Sequence, residues 1–231
     1  MITFREVSKD YDSLSALTDI SMEITPGEFV FLVGPSGAGK STVLKLIIRE
    51  DLPSKGDVFV DGAEVTKMRP SEVPHLRRRI GTVFQDFKLL PQRTVFENVS
   101  FPLEILGLDD DEIKKIVEDT IALVNLEHKL GHFPAQLSGG EAQRTAIARA
   151  MVMRPEIILA DEPTGNLDLG SAWEVMQILN KLNSLGTTVV MATHNMDITS
   201  GLPHRKLEIQ KGRIVNDTKQ KGASRESVKK K

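Results

Sequence analysis

Gly34-Pro35-Ser36-Gly37-Ala38-Gly39-Lys40-Ser41 follows a short apolar run, Phe29 to Val33, and precedes an apolar-periodic segment, Thr42 to Ile48. The stretch therefore reads as strand, glycine loop, helix, which is the context a phosphate-cradling loop requires. Glycines let successive backbone N–H groups turn inward around an anion, and the following helix N-terminus adds partial positive charge. Lys40 can reach the β- and γ-phosphates of a nucleotide, and Ser41 offers a hydroxyl to Mg2+. A glycine turn before an ordinary helix is the plainer reading, but it does not account for the lysine and hydroxyl placed directly at the helix start. Nucleotide binding is the expectation.

The rest of the composition sets limits around that loop. The chain has 231 residues, enough for one large domain or two small ones with a substantial core. Apolar residues make up 40% and charged residues 27%, ordinary for a globular protein, and the net charge of −2 offers no general attraction to nucleic acid. The absence of cysteine rules out disulfides and thiolate metal sites. The N-terminus is charged from Arg5 and Glu6 and lacks the apolar core of a signal peptide. No apolar run approaches the ~20 residues of a membrane span. A cytosolic protein is expected, with any membrane role arising through a partner.

Taken in order, residues 2–8 alternate as a first strand, and Tyr11 follows at a turn. Its ring is either a partly buried strand-end aromatic or a platform for adenine. Ile20 to Ile24 form another strand, and Asp57 to Val60, ending at Asp61-Gly62, one arm of a hairpin. After the basic cluster Arg77-Arg78-Arg79, Ile80 to Phe84 is a short buried strand that ends at Gln85. From Thr94 to Leu126 the pattern turns helical, with Asp109-x-x-Glu112 as a capped start. Leu137-Ser138-Gly139-Gly140-Glu141 has capping-box spacing, and its two glycines make a second possible anion-binding helix start. Glu156 to Glu162 is an apolar strand ending in the carboxylates Asp161 and Glu162, at the strand edge where open α/β sheets bind ligands. Ser171 and Glu174 suggest a cap for a helix to Ser184. Thr187 to Ala192 is a buried strand leading to His194, and Arg205 to Val215 a closing hairpin. From Lys219 the chain carries six basic residues, one acid and one large apolar residue, so residues 219–231 read as a basic, disordered tail.

The order Gly34 to Ser41, Gln85, Leu137 to Glu141, Ile157 to Glu162, Asp168 and His194 resembles the ATPase subunits of ABC transporters over residues 2 to 216. The Leu-Ser-Gly-Gly-Glu signature after a phosphate loop carries most of the specificity; Glu141 stands where many members have Gln. Val83 to Leu90, Thr94 to Val99, Val73 to Arg78 and Met191 to Asn195 resemble the FtsE-type cell-division branch of that family. Asp161 to Asp168 is shared with lipoprotein-release and macrolide-export ATPases and does not discriminate. The resemblance implies an α/β P-loop NTPase fold with a RecA-like core, an N-terminal antiparallel β-subdomain and a helical signature subdomain. The ATP-binding domain would span residues 1–218, with the helical subdomain inserted at about 86–155.

The resemblance also implies roles. Two subunits close head to tail around two ATP molecules, each lying between one subunit's phosphate loop and the other's signature. Tyr11 stacks on adenine. Gly34, Pro35, Ser36, Gly37, Ala38, Gly39, Lys40, Ser41 and Thr42 hold the phosphates. Ser41 and Gln85 ligate Mg2+, and Asp161 holds it through water. Glu162 is the general base and His194 contacts the γ-phosphate. Leu137, Ser138, Gly139, Gly140 and Glu141 face the partner's ATP, and Asp168 belongs to the loop that couples the two sites. An FtsX-like transmembrane subunit would hold the protein at the inner face of the cell membrane and relay ATP-driven motion to cell-wall hydrolases. It would meet the segment after Gln85 through Phe87 and Leu90. A transporter ATPase for lipoprotein release or drug export, a division scaffold with little turnover, and a DNA-repair ATPase head are the alternatives. The last would call for a coiled-coil insertion, which this sequence lacks, and the net charge is −2, so no nucleic acid is expected.

Overall fold

A computed structural model describes residues 1–219. Along the chain come β1 (Ile2–Tyr11), β2 (Leu14–Ile24), β3 (Phe29–Val33), α1 (Lys40–Ile47), β4 (Lys55–Val60), β5 (Ala63–Glu64), α2 (Val73–Arg78), β6 (Ile80–Val83), α3 (Val95–Leu106) and α4 (Asp110–Leu123). They continue as α5 (Gly139–Met151), β7 (Ile157–Asp161), α6 (Leu169–Ser184), β8 (Thr188–Thr193), α7 (Met196–Ser200), β9 (Arg205–Gln210) and β10 (Arg213–Asp217). The chain divides into two compact units: Met1–Leu76 with everything from Val190 onward, and Arg77–Val189.

In the first unit an antiparallel sheet has the order β2-β1-β4-β5. β1 and β2 are longer than the runs 2–8 and 20–24 that the sequence pattern suggested. Their pairing extends from Ile2↔Ile24 to Tyr11↔Leu14. The extension is hard to see in the pattern because one face of β2 is wet: Ser15, Asp19, Ser21 and Glu23 are exposed, whereas Leu17, Ile20, Met22 and Ile24 are buried. Tyr11 is accordingly the last residue of β1, not a turn residue. A second set of strands in this unit runs β10-β9-β3-β8, with β9 antiparallel to β10 and parallel to β3. All five residues of β3 and all six of β8 are buried, as continuous apolar strands covered on both faces should be.

Arg205 ties β9 to its surroundings. Its guanidinium donates to the Asp217 carboxylate at 2.9 and 2.7 Å, to Glu28 at 3.0 Å and to the Glu23 carbonyl at 2.7 Å. Burial alone would raise both carboxyls. Hydrogen bonds outweigh it, led by Thr25 for Glu28 and by Arg205 for Asp217, and hold both below the usual carboxylate range.

In the second unit β6 and β7 pair in parallel from Ile80↔Ile157 to Val83↔Ala160. Four helices of this unit begin on a side-chain cap. Thr94 and Glu97 close a capping box at α3, Asp109 caps α4, and Ser138 and Glu141 close a box at α5. At α6 the cap is Asp168, not Ser171: the Asp168 carboxylate accepts the Ser171 N–H at 3.0 Å and its hydroxyl at 2.7 Å. Asp168 thus starts the helix a turn earlier, and Glu174 pairs with Arg144 instead of completing a box. A charged carboxylate wins this competition because it bonds the helix N–H groups more strongly than a hydroxyl does.

Within the basic cluster, Arg79 makes a two-pronged pair with Glu156 at 3.0 and 2.7 Å. No helix among the described residues is long and apolar enough to cross a membrane. The basic tail lies outside the described residues, apart from Lys219, whose ammonium stands 3.5 Å from Glu28.

Arg205→Met should cost about 3–5 kcal/mol, because it leaves Asp217, of which 8% of the side chain is exposed, charged and without its main partner. Urea unfolding of the variant against the parent chain measures this.

Candidate active site

The expected site residues fall into two sets. Tyr11, Gly34 to Thr42 and His194 belong to the first unit; Gln85, Leu137 to Glu141, Asp161, Glu162 and Asp168 belong to the second.

In the first unit the buried strand β3 delivers the chain into the glycine loop, and α1 leaves it. Two glycines there are sterically required. A Cβ on Gly34, at φ +152°, would lie 2.1 Å from the Ile209 carbonyl oxygen; one on Gly39, at φ +107°, would lie 2.6 Å from that of Ala16. The loop is therefore wedged between β2 and β9. The Gly212 N–H donates to the Ala38 carbonyl at 3.1 Å and pins it from the β9–β10 turn. Lys40 is 5% exposed, and its ammonium donates to the Gly34 and Pro35 carbonyls at 2.9 and 3.1 Å, curled along the loop it follows.

The start of α1 differs from those of α3, α4, α5 and α6. Gly39 provides no side-chain cap, and no acid stands in the first turn. The leading N–H groups of a helix need an acceptor, and the dipole there favours negative charge. A phosphate meets both needs, so the loop fits the nucleotide phosphates.

Tyr11 is placed by neighbours that the sequence did not reveal. Its hydroxyl donates to Asp51 at 2.5 Å, Lys9 binds the other oxygen of that carboxylate at 2.6 Å, and the Lys9 ammonium lies 4.7 Å from the ring centre. Burial and the Asp51 carboxylate raise the phenol's pKa, while a hydrogen bond with the Thr42 hydroxyl on α1 acts the other way. The ring is 38% exposed and stands beside the phosphate loop's helix. His194 is exposed after β8, where Asn195 caps the short α7 through the N–H groups of Asp197 and Ile198.

In the second unit Asp161 ends β7 and Glu162 follows it, both part-exposed. Glu162 has φ +48°, a left-handed backbone that a non-glycine residue adopts at some cost. Gly165 lies in the turn that follows. An added Cβ there would be 3.2 Å from the Gln85 amide nitrogen and 3.5 Å from a Glu162 carboxylate oxygen, so both side chains converge on the same small residue. Asn166 and Gln85 exchange hydrogen bonds at 3.4 Å.

The donors expected for Mg2+ are the Ser41 hydroxyl, the Gln85 amide and the Asp161 carboxylate. They are oxygen donors with a single negative charge, which suits an ion that keeps waters and takes phosphate oxygens. Among the described residues no group of three or more His, Asp or Glu is gathered that could hold a metal alone.

The signature turn is closed on itself. The Glu141 carboxylate accepts the Ser138 N–H at 2.8 Å, and the Ser138 hydroxyl accepts that of Glu141 at 3.3 Å. The Ser138 N–H bond, together with the Ser138 hydroxyl and Lys129 at 3.2 Å, outweighs burial and pulls the Glu141 pKa down to about 2. Of the two signature glycines, Gly140 packs on Ser171 and Gly139 near Leu167, placing the turn against the loop that carries Asp168. The Ser171 N–H and hydroxyl likewise hold Asp168 below its ordinary pKa.

The sequence profile of the family described as ABC transporter matches residues 17–165. The chain belongs to the ABC transporter family. This ABC protein is 52% identical over 218 residues to the cell division ATP-binding protein FtsE of Bacillus subtilis, covering 94% of this chain and 96% of that protein. It is 49% identical to FtsE of Mycobacterium tuberculosis over 219 residues, with 94% and 95% covered. Escherichia coli FtsE is 45% identical over 215 residues, with 93% and 97% covered. Among solved structures, an ATP-binding cassette captured as a dimer in a post-hydrolysis state with ADP and Pi superposes with a TM-score of 0.86 at 37% identity, covering 94% of this chain and 97% of that one. The α/β fold is that of an ABC ATPase, and this ABC protein is an ATPase.

The Glu141 carboxylate gives the signature turn a pH signature of its own. Its folded pKa is depressed, so its contribution to stability is complete above its ordinary 4.5 and is lost as pH falls toward about 2. Glu141→Gln keeps an acceptor for the Ser138 N–H but cannot titrate. Stability measured between pH 5 and about pH 2.5 should fall less steeply in that variant than in the parent chain.

Proposed function

We propose that this ABC ATPase is the ATP-hydrolysing subunit of an FtsEX-type membrane complex in cell division. In this reading it works as a homodimer that an FtsX-like transmembrane subunit holds at the inner face of the membrane. The observation that carries the reading is identity of 45–52% with FtsE proteins of several bacteria over nearly the whole chain. The dimeric cassettes among its structural neighbours support closure of two copies. The ATP-binding domain is read as residues 1–218, with a helical subdomain at about 86–155 and a basic tail beyond.

Phosphoryl transfer asks for positioning and charge stabilisation more than for covalent chemistry. Tyr11 stacks on adenine, its hydroxyl braced by Asp51. The loop from Gly34 to Thr42 presents its backbone N–H groups, those of all but Pro35, to the phosphates, and Lys40 exchanges its loop carbonyls for phosphate oxygens. Ser41 and Gln85 would hold a magnesium ion, with Asp161 holding it through water; the ion when bound would supply neutralisation of phosphate charge. Glu162 orients and deprotonates the attacking water, its carboxylate aimed by the left-handed backbone at its own α-carbon. His194 contacts the γ-phosphate. Ser138 and Gly140 reach the γ-phosphate bound by the other copy, and Asp168, capping α6 beside them, links the two sites. Phe87 and Leu90 meet the membrane partner, which passes the motion to cell-wall hydrolysis outside.

Glu162→Gln should lower kcat by at least about 100-fold while ATP still binds and a closed dimer accumulates. Steady-state phosphate release and size-exclusion chromatography with ATP check it; undiminished hydrolysis would remove Glu162 from the role of base. Tyr11→Leu should raise KM for ATP by roughly 5- to 100-fold with kcat nearly unchanged, and Tyr11→Trp should restore it.

A further inference from the structure

Arg149, in the last turn of α5, reaches out of its helix to the segment that follows Gln85. One guanidinium nitrogen donates to the Lys88 carbonyl at 2.7 Å and the other to the Phe87 carbonyl at 3.0 Å. Partial burial pulls its pKa below the ordinary value, and among the described residues it forms no ion pair. Withdrawing a cation from water toward two peptide carbonyls and no carboxylate contributes little to stability. Its effect is geometric.

The two peptides it holds are unusual. Phe87 has φ +59° and Lys88 φ +48°, and the Lys88 N–H donates to the Asp86 carbonyl at 2.6 Å. That is a γ-turn with a positive central φ, a rare and strained form that persists only where its surroundings impose it. Further along, the fully buried Asn98 of α3 accepts the Leu90 N–H at 2.8 Å and donates to the Leu90, Arg93 and Thr94 carbonyls at 3.1, 2.9 and 2.9 Å. Side chains of two helices therefore set the path of residues 87–94, and Arg149 sets the part adjoining Gln85.

α5 begins at the signature turn and ends at Arg149, a rigid rod of about 20 Å. We infer that Arg149 is a positioning residue that couples the signature turn, through α5, to the backbone of Phe87 and Lys88 and so to Gln85. Movement of the signature turn on meeting the other copy's nucleotide is carried along the helix and delivered to the strained turn. Arg149 touches no reacting atom; it decides where Gln85 stands. The inference rests on the proposed role of Gln85 at the magnesium.

The test is steady-state ATPase kinetics on the full chain, with Gln85→Ala as the benchmark. Arg149→Met should lower kcat about tenfold or more, toward the Gln85→Ala value, with KM within about twofold of the parent. Arg149→Lys, which can satisfy one carbonyl at a time, should fall between. Adding Lys88→Gly to Arg149→Met should recover several-fold of the lost kcat, because glycine adopts the left-handed backbone without help. A purely structural arginine would shift melting temperature and KM together and would gain nothing from the glycine; that pattern overturns the inference, as does an unchanged kcat in Arg149→Met beside an impaired Gln85→Ala. If Arg149→Met does not fold, the same split between kcat and KM in Arg149→Lys decides. A Gln85→Ala protein with full kcat would instead overturn the assignment of Gln85 to the magnesium, and the route proposed for Arg149 with it.

Discussion

The Ile209 and Ala16 carbonyl oxygens stand closer to the phosphate loop than any side chain would permit. This contact makes the loop a fixed frame instead of a flexible glycine turn. With Gly34 against β9 and Gly39 against β2, the backbone N–H groups that follow are aimed before any ligand arrives. The start of α1 and the buried course of Lys40 follow from it. The Arg205 network acts on the same strand: it ties β9 to β10 and to the turn before β3, so the backbone that confines Gly34 is itself held.

How helix starts are satisfied divides the chemistry. α3, α4, α5 and α6 each receive a side-chain acceptor from their own sequence, whereas α1 receives none. A helix start without a side-chain cap, with a lysine in its first turn, suits an anion. The signature turn is intermediate. Its capping box uses the Ser138 N–H internally, Gly140 leaves room for the close approach of Ser171, and that approach links the turn to Asp168. A reciprocal cap fixes the shape of this turn locally, without help from distant parts of the chain.

Much of the fold was legible because its signals are local. Continuous apolar runs mark β3, β7 and β8, and cap spacing marks α4 and α5. The misreading at α6 shows where such signals compete: Asp168 and Ser171 both qualify as caps, and the carboxylate prevails. The wet face of β2 hid its true length, since polar residues on an exposed face look like loop until a partner strand is known. Asn98 and Arg149 left a fainter trace, a polar residue and a cation in otherwise apolar helical stretches, without any indication of what they bind.

By itself the sequence determined the residues whose chemistry depends on type and local spacing: the phosphate loop, the paired carboxylates after β7, the capping signature and the family they compose. Those features rest on hydrogen bonds and dihedral preferences within a few residues of one another. Only the tertiary structure decided that Asp51 braces Tyr11, that Gln85 reaches the turn at Gly165, and that Arg149 grips the peptides after Gln85. Each of those joins residues at least 20 positions apart, and which distant groups meet is set by how strands and helices pack, a property no local pattern encodes.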